Sequence, residues 1–415
     1  MDLSEKCWKR LDTARRIEAG ELTVGEAAQV LGLSRRQTQR VRRRVKAKGK
    51  QGVVHGNLGR RSPGRTARAT VKKVLAAARG KYRGFNDQHM TECLAEEDDV
   101  KLSRSTVRRL LRADGIQAAR RRRAPKHRRR RDRKPRTGMM MVWDGSPHDW
   151  LEGRGPRLCL MGAVDDATSE FLPGAHFLEA ECSAGYLKVL HDIAAEKGIP
   201  LSAYGDQHSS LKRNDDHWTF AEERRGAQDP TQVGRVLAAL GIEAIYALSP
   251  QAKGRVERLW GTLQDRLVSE LRLAGATTAL TANAVLATYR PLHNQRFGIA
   301  ARERTPAWRP LRRGQDLTRL CSFQYEATVR KDNTVRLGGH IIDVPAGPRG
   351  RSYADRQIAL HQLLDGSWRV YLGEVLLATG AATATGELRA QRRRKHGRGA
   401  PASVPAPVDF VEVPA

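Results

Sequence analysis

Three acidic residues follow predicted strands at points where their side chains could share one task. Asp144 comes after the first strand of its region, Asp206 after the fourth, and Glu257 near the start of the helix after the fifth. Grouped carboxylates repel one another unless a cation neutralises them, and hard oxygen ligands select Mg²⁺ or Mn²⁺. Two such ions about 3.5–4 Å apart stabilise the attacking and leaving oxygens of an in-line phosphoryl displacement. Water or a free hydroxyl is then a sufficient nucleophile.

Each of the three residues also has a purely structural interpretation. Asp144 and Asp206 could be turn residues, and Glu257 could be a helix-start charge favoured by the macrodipole. Other carboxylates compete for the same role: Asp165, Asp166, Asp215, Asp216 and Glu243. The first pair belongs to a predicted hairpin and the second to a polar loop, where rigid metal geometry is harder to supply. Glu243 falls inside a predicted strand, and sequence order alone leaves these alternatives open.

The elements that would position these carboxylates are predicted over residues 138–312. Their order is three strands, helix, strand, helix, strand, helix, which indicates an α/β core. The last helix carries apolar residues at helical spacing, a stripe suited to packing on a sheet: Val256, Leu259, Trp260, Leu263 and Leu267. Short strands punctuated by turns over residues 320–381 predict a small C-terminal β-barrel. Residues 382–415, rich in Ala, Arg and Pro, are predicted to be a disordered tail.

Two helical modules precede this core, so the chain is predicted to be multidomain. Residues 1–50 predict a helix-turn-helix with Thr23 and Ser34 as N-caps, whose second helix would enter the major groove of DNA. Residues 66–118 predict a second all-α module, its last helix capped by Ser103. Long polar side chains suited to base edges and phosphates are the DNA-binding candidates: Arg35, Arg36, Gln37, Gln39, Arg40, Arg104, Arg108 and Arg109. The alternative is a pair of surface helices with solvated charge.

The charge balance indicates a polyanionic partner. The chain has 75 Lys and Arg against 45 Asp and Glu, a net charge of +30, which excludes an acidic scaffold for basic partners. Residues 119–137 form a basic linker with four further DNA-binding candidates: Arg128, Arg129, Arg130 and Arg131. Because each neutralised phosphate releases counterions, binding should weaken steeply with salt. The alternative is a charged spacer without a fixed path.

The cysteines, the N-terminus and the apolar runs indicate the cellular compartment of the protein. The five cysteines are scattered and form no CxxC pair, so neither a zinc knuckle nor a disulfide framework is predicted. The N-terminus lacks the order of a signal peptide, and no apolar run is long enough to span a bilayer. We therefore expect a soluble cytoplasmic protein that associates with the nucleoid when bound to DNA and has no membrane partner.

Two motifs carry a family resemblance that runs from about residue 139 to residue 273. The stretch SPQAKGRVERL at 249–259 and the stretch YGDQHS at 204–209 resemble the glutamate and second-aspartate motifs of Asp-Asp-Glu transposases and retroviral integrases. The chain is most similar to the ISNCY type. The resemblance implies a ribonuclease H-like core in which Asp144, Asp206 and Glu257 are catalytic ligands of two Mg²⁺ or Mn²⁺ ions. Lys253, in the first stretch, completes the DNA-binding candidates.

The sequence departs from the family pattern at two places. Asp-Gln-His at 206–208 replaces the commoner Asp-Asn-Gly. Gln264 stands where a basic residue often lies two turns after the glutamate, with Arg266 nearby. We expect His208 to shape the Asp206 loop and residues 293–294, His-Asn, to form a capped loop in an appendage that packs on the core.

The resemblance implies a DNA transposase that acts as a homo-oligomer on DNA. It would bind the terminal inverted repeats of its own element, cleave at the 3′ ends and join them to target DNA. A metal-dependent nuclease of the same fold without a joining step is one alternative, and a non-catalytic DNA-binding regulator is another. The acidic triad discriminates between enzyme and regulator, because a regulator has no use for three converging carboxylates.

Overall fold

The computed structural model of the chain describes residues 4–58, 64–118, 131–213, 215–247, 254–337, 340–388 and 410–412. The chain folds into two compact units, residues 1–73 and residues 74–415. Within the described ranges, no helix is both long and apolar enough to cross a membrane. The expectations for Arg128, Arg129, Arg130 and Lys253, and for most of the tail, lie outside these ranges.

The N-terminal unit is built on three helices, α1 (Glu5–Glu18), α2 (Val24–Leu31) and α3 (Arg35–Lys48). The Thr23 side chain accepts a hydrogen bond from the Glu26 backbone, and the Glu26 side chain accepts one from the Thr23 backbone, so both ends of a capping box are present. Gly32 ends α2 with a φ of 60°, a conformation that costs glycine little. Ser34 caps α3. Both predicted N-caps are therefore confirmed.

The second helical module consists of α4 (Arg68–Arg79), α5 (Asp87–Glu96) and α6 (Arg104–Ala113). The side chain of Ser103 accepts a hydrogen bond from the Thr106 backbone, which confirms the predicted cap of α6. The three helices enclose a small apolar core of their own that includes Val74, Tyr82, Met90, Leu94 and Val107. This core is built around one face of each helix, as the predicted module requires.

A five-stranded mixed sheet forms the centre of the second unit. Its strands are β1 (Met141–His148), β2 (Leu158–Asp165), β3 (His176–Leu178), β4 (Ser202–Gly205) and β5 (Glu243–Tyr246). They lie in the order β3-β2-β1-β4-β5, and β2 alone runs antiparallel to the other four. This arrangement agrees with the expected ribonuclease H-like core.

Helices cover both faces of this sheet. They are α7 (Ser183–Glu196), α8 (Phe220–Arg225), α9 (Gln232–Ala239), α10 (Gly254–Leu273) and α11 (Ala279–Phe297). Successive residues at the start of β1 alternate between the faces. Met141 and Trp143 share a core with α7 and α9, whereas Val142 and the preceding Met140 share one with α10 and α11. The predicted apolar stripe of α10 is confirmed as the surface that packs on the sheet.

Two details of this core differ from the sequence-based expectation. Asp144 does not follow the first strand but is the fourth residue of the eight in β1. The strand continues because β2 pairs with it as far as His148, and even Pro147 lies opposite Cys159. The segment after Asp206 is not only a polar loop, since the capping box of Thr219 and Glu222 starts α8 there.

The C-terminal part was predicted to be a closed β-barrel, and the described residues form none. After α12 (Leu317–Leu320), the strands are β6 (Phe323–Thr328), β7 (Thr334–Leu337), β8 (His340–Asp343), β9 (Gln357–Gln362), β10 (Trp368–Leu372), β11 (Val375–Gly380) and β12 (Phe410–Glu412). An open sheet has the order β12-β11-β10-β9-β6, and β7 pairs only with β8. The sheet stays open because this hairpin packs on it through Val335 and Ile342 instead of joining it. Part of the expected disordered tail, β12, supplies one edge.

Candidate active site

Acidic side chains meet at one edge of the central sheet. Asp144, Glu181 and Asp206 each place a carboxylate oxygen within 4.8 Å of the others. β1 and β4 pair in parallel with Val142 opposite Tyr204, so Asp144 and Asp206, each two residues further on, lie level with each other. The strand β3 runs in the same direction and leads to Glu181. Three like charges so close together are costly unless cations or protons neutralise them. An oxygen-only donor set suits a hard divalent cation such as Mg²⁺.

Sequence reasoning identified two members of this group and missed Glu181. That residue lies in the connection between β3 and α7, three positions beyond the strand. Glu181 does follow a strand of the sheet, as Asp206 follows β4, but Glu179 follows the same strand. The short β3 concealed Glu181: the expected third strand covered residues 171–177, whereas the observed one begins at His176.

Close packing holds Glu181 against β1. The hydroxyl of Tyr186 donates a hydrogen bond to Glu181 Oε1. Burial, followed by the carboxylate of Glu181, raises the pKa of Tyr186 well above its ordinary value, so the phenol remains a donor. A Cβ atom added at Gly145 would lie 2.5 Å from Glu181 Oε2. Any side chain at position 145 would therefore force the Glu181 carboxylate to shift from its place beside Asp144.

The loop after β4 holds Asp206 through local hydrogen bonds. The His208 backbone N–H donates to Asp206 Oδ1 at 2.9 Å, and the Ser210 N–H donates to His208 Nδ1 at 3.3 Å. His208 Nδ1 also lies 3.6 Å from Glu181 Oε1. These contacts agree with the expectation that His208 shapes the loop, and they place its ring beside the carboxylate group.

Glu257 lies in the first turn of α10, is exposed, and does not belong to the 4.8 Å group found among the described residues. Seven residues on, or about two turns, Gln264 lies on the same side of the helix. Its Nε2 donates to Ser146 Oγ at 3.2 Å. Ser146 is two residues beyond Asp144, so both point to the same face of β1. This side of α10 therefore faces the strand that carries Asp144.

Three of the competing carboxylates, Asp165, Asp166 and Asp215, have structural partners. Asp165 accepts hydrogen bonds from the backbone N–H groups of Gly138, Ala167 and Thr168. Asp166 forms ion pairs with Arg131 and Arg255. Asp215 pairs with Arg213, and the exposed Glu243 begins β5. Both Asp165 and Asp166 are fully buried, and they fasten the segment before β1 to the core.

The prediction that His293 and Asn294 form a capped loop was wrong. His293 and Asn294 lie within α11 and not in a loop. The Asn294 amide accepts from the Phe171 N–H at 2.7 Å and donates to the Phe171 carbonyl at 3.0 Å. His293 is buried beside the Phe171 ring, and burial lowers its pKa to about 4. Both residues support the fold.

The described DNA-binding candidates lie on exposed helix surfaces. Exposed positions on α3 and α6 are occupied by Arg35, Arg36, Gln39, Arg40, Arg104, Arg108 and Arg109, and Gln37 is half-buried. Eight of the 14 residues of α3 are basic and none is acidic. Among the ion pairs of the described residues, α3 contributes only Arg42, which pairs with Glu18. The uncompensated charge is suited to phosphates. Arg131 is already paired with Asp166, although half of its side chain is exposed.

A polar surface joins the second helical module to α10. Arg266, only 5% exposed, donates to Glu92 at 2.6 Å. Asn86 donates to Asp265 at 2.6 Å, and His89 Nε2 lies 2.6 Å from Glu270 Oε1. Arg266, considered above for its closeness in sequence to Gln264, is thus directed to the module and away from the carboxylates.

Comparison with known proteins decides the family. No family model matches the sequence. The chain is 32% identical over 366 residues to a putative transposase, y4bF, of Sinorhizobium fredii, covering 84% of this chain and 78% of that protein. This chain belongs to the transposase family. It is also 32% identical over 336 residues to the transposase for insertion sequence IS1202 of Streptococcus pneumoniae, covering 70% of this chain and 68% of that protein. A transposase is a polynucleotidyl transferase that acts on DNA.

Two solved structures resemble parts of this transposase. The HTLV-2 integrase catalytic core domain in complex with magnesium is 16% identical and covers 37% of this chain and 86% of that chain, with a TM-score of 0.25. The simian T-cell lymphotropic virus intasome in complex with the B56 gamma subunit of PP2A is 13% identical and covers 77% and 99%, with a TM-score of 0.31. The family assignment rests on the sequence relatives.

Proposed function

We propose that this transposase binds the terminal inverted repeats of its own element, cleaves at the 3′ ends and joins them to target DNA. The observation that carries the proposal is the convergence of Asp144, Glu181 and Asp206 within 4.8 Å at the sheet edge. In cleavage, a water oxygen displaces the 3′ oxygen from phosphorus. In joining, the freed 3′-hydroxyl displaces an oxygen of the target strand. Because both steps are phosphoryl displacements, one site serves both.

Asp144, Asp206 and Glu257 are proposed to hold the catalytic cations, two Mg²⁺ or Mn²⁺ ions. Bound there, the ions would neutralise the developing charge and activate the attacking oxygen. Support for Glu257 comes from Gln264, which lies on the same side of α10 and contacts Ser146 near Asp144. Glu181, fixed by Tyr186, adds negative charge that strengthens cation binding. The role of Glu181 is to attract the cations to the site and to help position them there.

DNA binding is assigned to the basic helices and the linker. Base edges would be read from the first turns of α3, where Arg36 and Arg40 are exposed. The exposed arginines of α6, the linker arginines 128–131 and Lys253 would contact phosphates. Phosphate contacts position a protein on DNA, whereas base contacts specify sequence.

The test is cleavage of a labelled terminal-repeat duplex in Mg²⁺. Asp144→Asn, Asp206→Asn and Glu257→Gln should each lose about a thousandfold in rate, which requires only ~4 kcal/mol of transition-state stabilisation. Their DNA affinity should stay within twofold of wild type. Glu243→Gln is the matched control, since Glu243 is an exposed carboxylate on β5 of the same sheet. Substantial cleavage by any one site variant would remove that residue from the site.

A second assay separates the transposase from the nuclease alternative. A precleaved terminal repeat is incubated with a target plasmid, and joined products are counted. Joining that is lost in Asp206→Asn supports the proposal. Cleavage by the wild-type protein without any joining would favour a metal-dependent nuclease, and binding without either reaction would favour a regulator.

A further inference from the structure

The buried carboxylate of Asp166 is shared by arginines from two different elements. Asp166 directly follows β2 and is fully buried, and its backbone N–H donates to the Met140 carbonyl at 3.0 Å, so the residue is fixed beside the sheet. Its side chain pairs with Arg131 of the linker and with Arg255 in the first turn of α10. Asp166 Oδ2 also accepts a hydrogen bond from the Lys134 N–H at 2.7 Å. One carboxylate therefore joins the central sheet, the linker and the start of α10.

Arg255 provides the first side chain of α10, because residue 254 is glycine. A positive charge in the first turn is unfavourable to the helix macrodipole, whereas a carboxylate near that turn is favourable. Asp166 offsets the charge of Arg255 by pairing with its Nε group, and only 17% of the Arg255 side chain is exposed. The Nη2 group of Arg255 donates to the Arg131 carbonyl at 3.2 Å. Two nitrogens of this guanidinium are therefore held, and they restrain the rotation of the first turn.

We propose that Asp166 and Arg255 are positioning residues that orient Glu257 for cation binding. This inference rests on the proposed function, in which Glu257 is a ligand. Glu257 lies two residues after Arg255, about 200° further around the helix. A rotation of the first turn that released Arg255 would therefore displace Glu257 through the same angle. Because Glu257 is exposed, its orientation depends on the helix that carries it.

Anchoring of the linker alone would not require the pair between Asp166 and Arg255. Arg133 already donates to the backbone carbonyls of Asp166 and Ala167, at 3.0 and 3.3 Å, and the Lys134 N–H binds the Asp166 carboxylate. These contacts hold the linker beside the sheet without any residue of α10. The contact of Arg255 therefore adds a connection that acts on the helix of Glu257.

The test is a titration of the full-length protein with Mn²⁺, in which free Mn²⁺ is measured by its electron paramagnetic resonance signal. Arg255→Met and Asp166→Asn should each weaken Mn²⁺ binding about tenfold or more. Loss of a positive charge near a cation site would by itself strengthen binding, so weaker binding of Arg255→Met reports displacement of Glu257. Arg255→Lys, which can still pair with Asp166, should stay within about threefold of wild type. Arg255→Met combined with Glu257→Gln should bind no more weakly than Glu257→Gln alone, because both changes disable one ligand.

Arg258→Met is the matched control, because Arg258 is an exposed arginine next to Glu257. It should bind Mn²⁺ at least as tightly as wild type, and circular dichroism verifies that each variant is folded. If folded Arg255→Met binds Mn²⁺ as wild type does while Glu257→Gln binds it more weakly, the positioning role is overturned and the proposed function stands. If Glu257→Gln itself binds Mn²⁺ as tightly as wild type, Glu257 is not a ligand, and its assignment fails together with this inference.

Discussion

At the scale of single residues, Glu181 is expected to affect cation affinity more than the chemical step. The Glu181→Gln change removes one negative charge but keeps an acceptor for Tyr186. We expect the Mg²⁺ concentration for half-maximal cleavage to rise about tenfold, equivalent to ~1.4 kcal/mol. The rate at saturating Mg²⁺ should change little, in contrast to Asp206→Asn. A loss of rate that excess Mg²⁺ cannot restore would make Glu181 a direct ligand.

The sequence predicted the carboxylate edge only in part. Asp144 and Asp206 could be identified because each lies beside a run of apolar residues of strand length. Glu181 could not be separated from Glu179 or from a simple helix-start charge, since β3 is three residues long. Its significance depends on Gly145 and Tyr186, which are distant in sequence and meet only in the fold.

His293 provides a prediction about acid stability. Burial lowers its pKa in the folded chain to about 4, from an ordinary value of 6.5. Between these values, the unfolded chain takes up a proton that the folded chain does not, so the free energy of unfolding falls as pH decreases from 6.5 to 4. The loss amounts to about 3 kcal/mol. Urea unfolding at pH 7 and pH 4.5 should give a smaller difference for His293→Gln than for wild type; equal differences would contradict the assignment.

At the scale of elements, α11 is expected to stabilise the sheet through two amides. Asn283 and Asn294 each pair with the backbone N–H and C=O of one residue, Phe177 and Phe171 respectively. Asn294→Ala should lower the free energy of unfolding by about 1–3 kcal/mol, because buried backbone groups lose their partners. Asn294→Asp should recover only the bond from the N–H group. Thr288→Ala, on an exposed part of α11, is the control and should have little effect.

Elements with strong local signals were predictable, and those that depend on distant pairing were not. The caps at Thr23, Ser34 and Ser103 could be predicted because each capping hydrogen bond joins residues only three positions apart. The end of β1 and the open C-terminal sheet were misread. In both cases, the outcome depends on strand pairing: β2 pairs with the whole length of β1, and the β7–β8 hairpin packs on the C-terminal sheet instead of joining it.

At the scale of the whole molecule, the salt dependence of DNA binding should distinguish base contacts from phosphate contacts. Arg36→Ala or Gln37→Ala should relax base preference, each good base contact being worth ~1–3 kcal/mol. Neutralising residues 128–130 should instead weaken binding to all duplexes and flatten the salt dependence. Arg131 should be left unchanged, because it also pairs with the buried Asp166. Titrations on terminal-repeat and random duplexes measure both effects; a linker variant that lost only specific binding would refute this division.

The active species is expected to be a multimer that assembles on paired DNA ends. The net charge of +30 opposes self-association of the free protein, and phosphates supply the missing counter-charge. Light scattering should therefore detect larger species only with terminal-repeat duplex. Diluting wild-type chains with Asp206→Asn chains should reduce joining more steeply than the wild-type fraction falls. A proportional decrease, with one chain per duplex, would mean that a monomer suffices.

The polar surface on α10 has an evolutionary consequence. The second helical module meets α10 through charged and amide pairs such as Arg266–Glu92 and Asn86–Asp265, whose partners lie more than a hundred positions apart. A recombination event with its junction near residue 118 would separate every such pair, whereas one just before residue 66 would leave them and the second module intact. Among related transposable elements, the first helix-turn-helix should therefore be exchanged independently of the rest of the protein. The second module and the core should be inherited together.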